Sequence, residues 1–140
     1  MRFPAGIAPS FRVPAPTPWV NVIANPSFGT PISETGAGFT WQGNSQRNCL
    51  TQWSKDPVMD PVAEAIYIRD EETGIYWTPT ASPIREETAY RALHGAGYTV
   101  FEHNRHGIEQ ELTVFVPVDD QGGELCRSLR SFPGGGMGSR

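Results

Sequence analysis

A chain of 140 residues and 15.4 kDa, 38% hydrophobic and 11% aromatic, has the length of one domain and enough apolar content to bury a core, which excludes a generally disordered polymer. Its 15 glycines and 13 prolines are one fifth of the sequence and interrupt helices, so an all-α bundle is excluded as well. Eleven Lys and Arg against 15 Asp and Glu leave a net charge of −4 with no basic block to track a phosphate backbone, and nucleic acid is not an expected partner. No apolar stretch approaches the ~20 residues of a membrane span and the N-terminus lacks the apolar core of a secretion signal, so the expected setting is soluble and cytoplasmic. Cys49 and Cys126 lie far apart with no second ligand beside either. They read as unpaired thiols of a reducing compartment, and no cofactor is expected.

Met1 to Pro18 carries prolines at 4, 9, 14, 16 and 18, so residues 1–15 are expected to be a flexible, extended lead-in. Val13 to Ser33 contains no charged residue, and within it Trp19 to Ala24 predicts a buried first strand closed by Asn25-Pro26. Phe28 to Ile32 and Phe39 to Trp41 predict short strands joined by the glycine-rich Thr35 to Gly38. Gln42 to Val62 is a polar stretch too long for a plain turn, and loops of this length in compact domains usually have a task. Glu64 to Arg69 alternates as a strand, Asp70 to Gly74 supplies a turn, and Ile75 to Thr78 returns. Tyr90 to His94 is a further strand, and Gly97 to Glu102 pairs with Ile108 to Val116 across Asn104 to Gly107.

In the last of these strands Ile108, Gln110, Leu112, Val114 and Val116 share one face, and Glu109, Glu111, Thr113 and Phe115 the other. Closely spaced strands with turn chemistry between them predict an all-β antiparallel sandwich spanning 16–118. Residues 119–140, rich in glycine around one short apolar-spaced piece from Leu125 to Leu129, are expected to form a divergent, disordered tail. A sandwich ending this way leaves an open sheet edge, so the C-terminal edge is expected to be truncated.

Bond-breaking chemistry on sugars needs a positioned carboxylic acid, often with a second carboxylate across the ring. Asp70, Glu71 and Glu72 share a hairpin turn, and Glu86-Glu87 and Asp119-Asp120 are similar adjacent acids, so all read first as solvated charge. Asp56 and Asp60 lie in the polar loop as Asp-Pro pairs, whose simpler reading is turn initiation. His103 and His106 bracket a hairpin turn instead of sharing a helix face, which argues against a metal pair. No nucleophile elbow, Walker loop or dinucleotide fingerprint is present, and no catalytic residue is assigned. What remains is the stretch Trp41 to Trp53. Aromatic faces stack on the apolar faces of sugar rings while planar amides and guanidinium satisfy hydroxyls, so Trp41, Asn44, Arg47, Asn48 and Trp53 are the candidate carbohydrate-binding residues. The competing reading makes Trp41 and Trp53 anchors of a covered loop.

Pro16 to Gly29 followed by Ser33-Glu34, Gly38-Phe39-Thr40-Trp41, Asn44-Ser45 and Leu50-Thr51 resembles the start of the phosphorylase-like part of cyclic β-1,2-glucan synthases. Their relatives are the cellobiose and chitobiose phosphorylases of glycoside hydrolase family 94. Tyr67 to Gly74, Trp77-Thr78-Pro79, His94-Gly95, Tyr98, Phe101 to His103 and Glu111 to Pro117 continue the resemblance over about residues 14–118. The resemblance implies a galactose mutarotase-like super-sandwich that, in such enzymes, precedes a helical (α/α)6 barrel carrying the catalytic acid. It further implies a β-linked glucan or oligosaccharide as partner and a possible homodimer for the whole enzyme. Where the family shows arginines this chain has Gln46 and Cys49, and neither an amide nor a thiol reproduces the charge and forked geometry of guanidinium. On this reading the chain is a carbohydrate-facing scaffold, inactive alone; a free-standing carbohydrate-binding module and an interaction domain are the alternatives.

Overall fold

The computed structural model describes residues 10–11, 18–52, 59–118 and 126–134. Among the described residues ten strands follow one another: β1 (Ser10–Phe11), β2 (Val20–Ala24), β3 (Phe28–Ser33), β4 (Trp41–Gln42), β5 (Ile68–Arg69), β6 (Tyr76–Trp77), β7 (Tyr90–Gly95), β8 (Tyr98–Arg105), β9 (Ile108–Phe115) and β10 (Cys126–Pro133). Among the described residues there is no helix. The strands form a five-stranded sheet in the order β1-β7-β8-β9-β10, a three-stranded sheet β2-β3-β4 and the two-stranded ribbon β5-β6, and every pairing is antiparallel.

Strand alternation sets the core. Leu112 and Val114 of β9, Phe101 of β8 and Ala92 of β7 point to one side of the large sheet, where Ile23, Phe28 and Ile32 of the small sheet, Val116 and the half-buried Ile66 close over them. Two asparagines join the layers. Asn21 Nδ2 donates to the Gly95 and Tyr98 carbonyls and to Thr99 Oγ1 at 3.0, 2.9 and 3.1 Å. Asn25 Oδ1 accepts from the Ser27 and Phe28 amides, which fixes the Asn-Pro turn between β2 and β3, while its Nδ2 reaches the Pro117 carbonyl at 2.9 Å.

Three expectations are corrected. The first strand is not buried: only Ile23 is enclosed, and Trp19, Val20 and Val22 are 63, 54 and 62% exposed, because β2 is the edge of its sheet and turns Val20 and Val22 outward. Within the lead-in, Ser10–Phe11 pairs with Arg91 and Tyr90 of β7. Within the expected tail, Cys126–Pro133 forms β10, an eight-residue partner for β9. Charge pairing explains β10 where apolar alternation does not. Arg130 stands opposite Glu111, and Arg127 forms an ion pair with Glu64.

Candidate functional site

The loop after β4 is built by its own polar groups. Asn44 Oδ1 accepts from the amides of Gln46 and Arg47 at 3.0 and 2.9 Å, an Asx turn; the Asn48 amide donates to the Asn44 carbonyl, the Asn48 side-chain Nδ2 donates to the Gln42 carbonyl, and the Gln42 amide donates back to the Asn48 carbonyl. Cys49 pairs with Trp41 in an isolated bridge, and its thiol donates to the Ser45 carbonyl at 3.1 Å. Thr51 Oγ1 accepts from the Thr40 amide at 2.8 Å, which seals the base of the loop. The Asn44 oxygen and the Asn48 nitrogen, on two residues read from sequence as ligands for hydroxyls, therefore shape the turn.

Trp41 is half-buried for a packing reason. The benzene portion of its indole lies over Gly29: a Cβ there would come within contact of Cζ2, 2.7 Å from Cε2 and 2.9 Å from the Ala24 Cβ. Phe39 packs against the same indole with ring centroids 5.6 Å apart. Of the five candidate residues, Trp41, Asn44, Arg47 and Asn48 come together on one loop with the Arg47 side chain exposed, and Trp53 lies outside the described residues, as does Asp56.

Three half-buried carboxylates are acceptors in the fold. Asp60, at φ +42°, receives the hydroxyls of Ser33 and Thr35 at 2.8 and 2.6 Å. Glu64 accepts from Thr40 Oγ1 at 3.0 Å and pairs with Arg127. Asp70 holds its turn through the Glu72 amide and the Thr73 hydroxyl, and these bonds, the hydroxyl first, keep its carboxyl below the usual range.

Glu86 is not the solvated charge that its Glu86-Glu87 context predicts. Its carboxylate takes Arg105 Nε at 3.1 Å and faces His106 Nε2 at 3.5 Å and His103 Nε2 at 3.8 Å. His103, on the core face of β8, stacks on Tyr90 with centroids 4.1 Å apart and shares a 2.7 Å hydrogen bond with Thr88 Oγ1. Burial pushes its pKa down, and the nearby Glu86 only partly opposes this. Gln110, directly opposite His103, is 3% exposed, and both its amide atoms lack a hydrogen-bond partner among the described residues. Sequence reasoning placed Gln110 on the correct face; its cost there is visible only once the face is closed.

Sequence reasoning also passed over an aromatic pair. Tyr67 and Tyr76 flank the β5-β6 ribbon with ring centroids 6.4 Å apart and are 56 and 59% exposed. Their spacing of nine residues carried no signal until the ribbon brought them side by side.

The sequence matches the family described as glycosyl hydrolase 94, supersandwich domain, over residues 9–127. It is 40% identical over 97 residues to the cyclic beta-(1,2)-glucan synthase NdvB of Rhizobium meliloti (strain 1021), covering 69% of this chain and 3% of that protein. It is 29% identical over 109 residues to the N,N'-diacetylchitobiose phosphorylase of Vibrio proteolyticus, covering 76% of this chain and 14% of the enzyme. It is 30% identical over 103 residues to the 3-O-beta-D-glucopyranosyl-beta-D-glucuronide phosphorylase of Paenibacillus borealis, covering 73% and 12% respectively. The chain thus spans between 3 and 14% of the length of these relatives. With two packed antiparallel sheets and a match reaching from β1 into β10, the chain belongs to the glycosyl hydrolase 94 supersandwich family.

Proposed function

We propose that the chain is the carbohydrate-facing sandwich of a β-glucan phosphorylase or a cyclic β-1,2-glucan synthase, a scaffold for a helical catalytic barrel without bond-breaking activity of its own. The family match over residues 9–127, whose relatives are named for synthesis or phosphorolysis of glycans, is the observation that carries this reading. It is supported by the way Asp60, Glu64, Asp70 and Glu86 are tied into hydroxyls, amides and cations of the fold. A general acid must instead be free to lose and regain a proton at the leaving oxygen. The proposal extends to a cytoplasmic setting, in line with the free cysteines Cys49 and Cys126, and to a homodimer of the whole enzyme.

The test is direct. The purified 140-residue chain, incubated with β-1,2-gluco-oligosaccharides or cellobiose and inorganic phosphate, should release no sugar phosphate, while binding to the oligosaccharide is measured by calorimetry. Turnover above background refutes the scaffold reading. Absence of binding refutes its carbohydrate-facing part.

A further inference from the structure

We propose that the outward face of the β5-β6 ribbon, formed by Tyr67, Arg69 and Tyr76, is a binding platform for a β-linked gluco-oligosaccharide; this rests on the carbohydrate-facing reading above and places the contact away from the Trp41 loop. The ribbon has two unlike sides. Its pairing register sets Ile68 against Trp77 and Arg69 against Tyr76, so Ile66, Ile68 and Trp77 belong to one side and Tyr67, Arg69 and Tyr76 to the other. The first side is anchored. Trp77 is 1% exposed with its indole 4.9 Å from the His106 ring, and Ile66 packs against the main core.

The second side is presented, and it is rigid. The Asp70 amide donates to the Ile75 carbonyl and the Gly74 amide to the Asp70 carbonyl, both at 2.8 Å, while Gly74 takes the left-handed φ of +72° that the turn requires. Asp70 and Thr73 close the same turn from their side chains at 2.6 Å. The backbone that carries the two half-exposed phenol rings is therefore fixed and need not be ordered when a ligand arrives. The rings lie tilted by 58°, which leaves each a separate face for an adjacent sugar ring. Arg69, exposed and in no ion pair among the described residues, lies in register with Tyr76 and offers a planar fork of donors to vicinal hydroxyls.

The size of the patch selects this ligand over a protein. Two half-exposed tyrosines, each contributing on the order of 100 Å², fall far below the ~800 Å² that one side of a stable protein interface buries. They match the apolar faces of one or two pyranose rings. A β-linked glucose unit, with its hydroxyls equatorial, has such a face on each side.

Calorimetry or ¹H–¹⁵N NMR titration of the full chain with β-1,2-gluco-oligosaccharides and with cello-oligosaccharides reads the proposal. The Y67A/Y76A variant is expected to weaken binding at least tenfold and R69A severalfold, with melting temperatures unchanged because these side chains are exposed. The Val22→Thr variant, at an exposed position of β2 outside the ribbon, should bind as the parent chain does. Binding by Y67A/Y76A at wild-type strength overturns the platform and leaves the carbohydrate reading intact. A wild-type chain that binds neither series overturns both, and so does a wild-type chain that self-associates through this face without sugar affinity.

Discussion

Replacing Gly29 by alanine tests whether Trp41 is a packing residue. Gly29 is buried on β3 opposite Trp41 and has no left-handed φ, so alanine fits the local backbone and only the space around the new methyl decides the outcome. That space is filled: the added carbon falls 2.7 Å from the Trp41 Cε2 and 2.9 Å from the Ala24 Cβ, inside the ordinary carbon contact of about 3.5 to 4.0 Å. The indole must move by about an ångström, with the Phe39 ring packed beside it. Overpacking of this kind costs roughly 1 to 3 kcal/mol, more than the ~0.5 to 1 kcal/mol that alanine recovers from the glycine's greater chain entropy. The expected net loss is about 1 to 2 kcal/mol, or a melting temperature lower by roughly 3 to 8 °C in a domain of this size. Urea denaturation of the parent chain, G29A, W41L and the double variant measures the coupling. Leucine at 41 makes room for the methyl, so the double variant should be more stable than the sum of the single losses by about 1 kcal/mol. A G29A variant within 0.3 kcal/mol of the parent, or strict additivity in the cycle, refutes the packing role and returns Trp41 to the candidate ligands.

Three further outcomes follow from buried polar groups. Gln110→Met keeps the volume of a buried side chain while removing an amide that finds no partner among the described residues, so it should raise stability by about 1 kcal/mol; destabilisation in urea melts contradicts this. Burial holds the pKa values of His103 and His94 below the free-histidine value of about 6.5, so the folded state binds fewer protons than the unfolded one and stability rises with pH across that interval. The melting temperature should therefore be flat above pH 6.5 and fall as pH drops below it, with Glu86 beside His103 and Glu34 beside His94 moderating the loss; a rise on acidification refutes the assignment. Glu86→Gln removes the ion pairs to Arg105 and His106 that tie the β8-β9 turn down, and should cost about 1 kcal/mol at low salt and less at high salt in parallel thermal melts, whereas a salt-independent change points to packing alone.

Period-2 alternation and turn chemistry made the large sheet legible. Gln110, Leu112 and Val114 fall on the face where the core lies, and the β8-β9 hairpin turns where Asn104 to Gly107 says it should. The antiparallel class also follows from residue order, since hairpin spacing leaves no room for crossover helices, and the family from the resemblance of motifs such as Tyr67 to Gly74 and Glu111 to Pro117. Other features needed the folded chain, because they depend on which elements meet. Whether Val20 and Val22 are covered depends on β2 standing at an edge, and β10 depends on its register along β9 and on Arg127 meeting Glu64 across 63 residues. The same holds for function. Asn44 and Asn48 carry the chemistry of a sugar ligand wherever they sit, and only the tertiary structure shows that one end of each amide, the Asn44 oxygen and the Asn48 nitrogen, shapes the loop itself. Tyr67 and Tyr76 show the converse. Unremarkable in the sequence, they become a paired surface because a two-stranded ribbon turns Trp77 inward and leaves the rings to solvent.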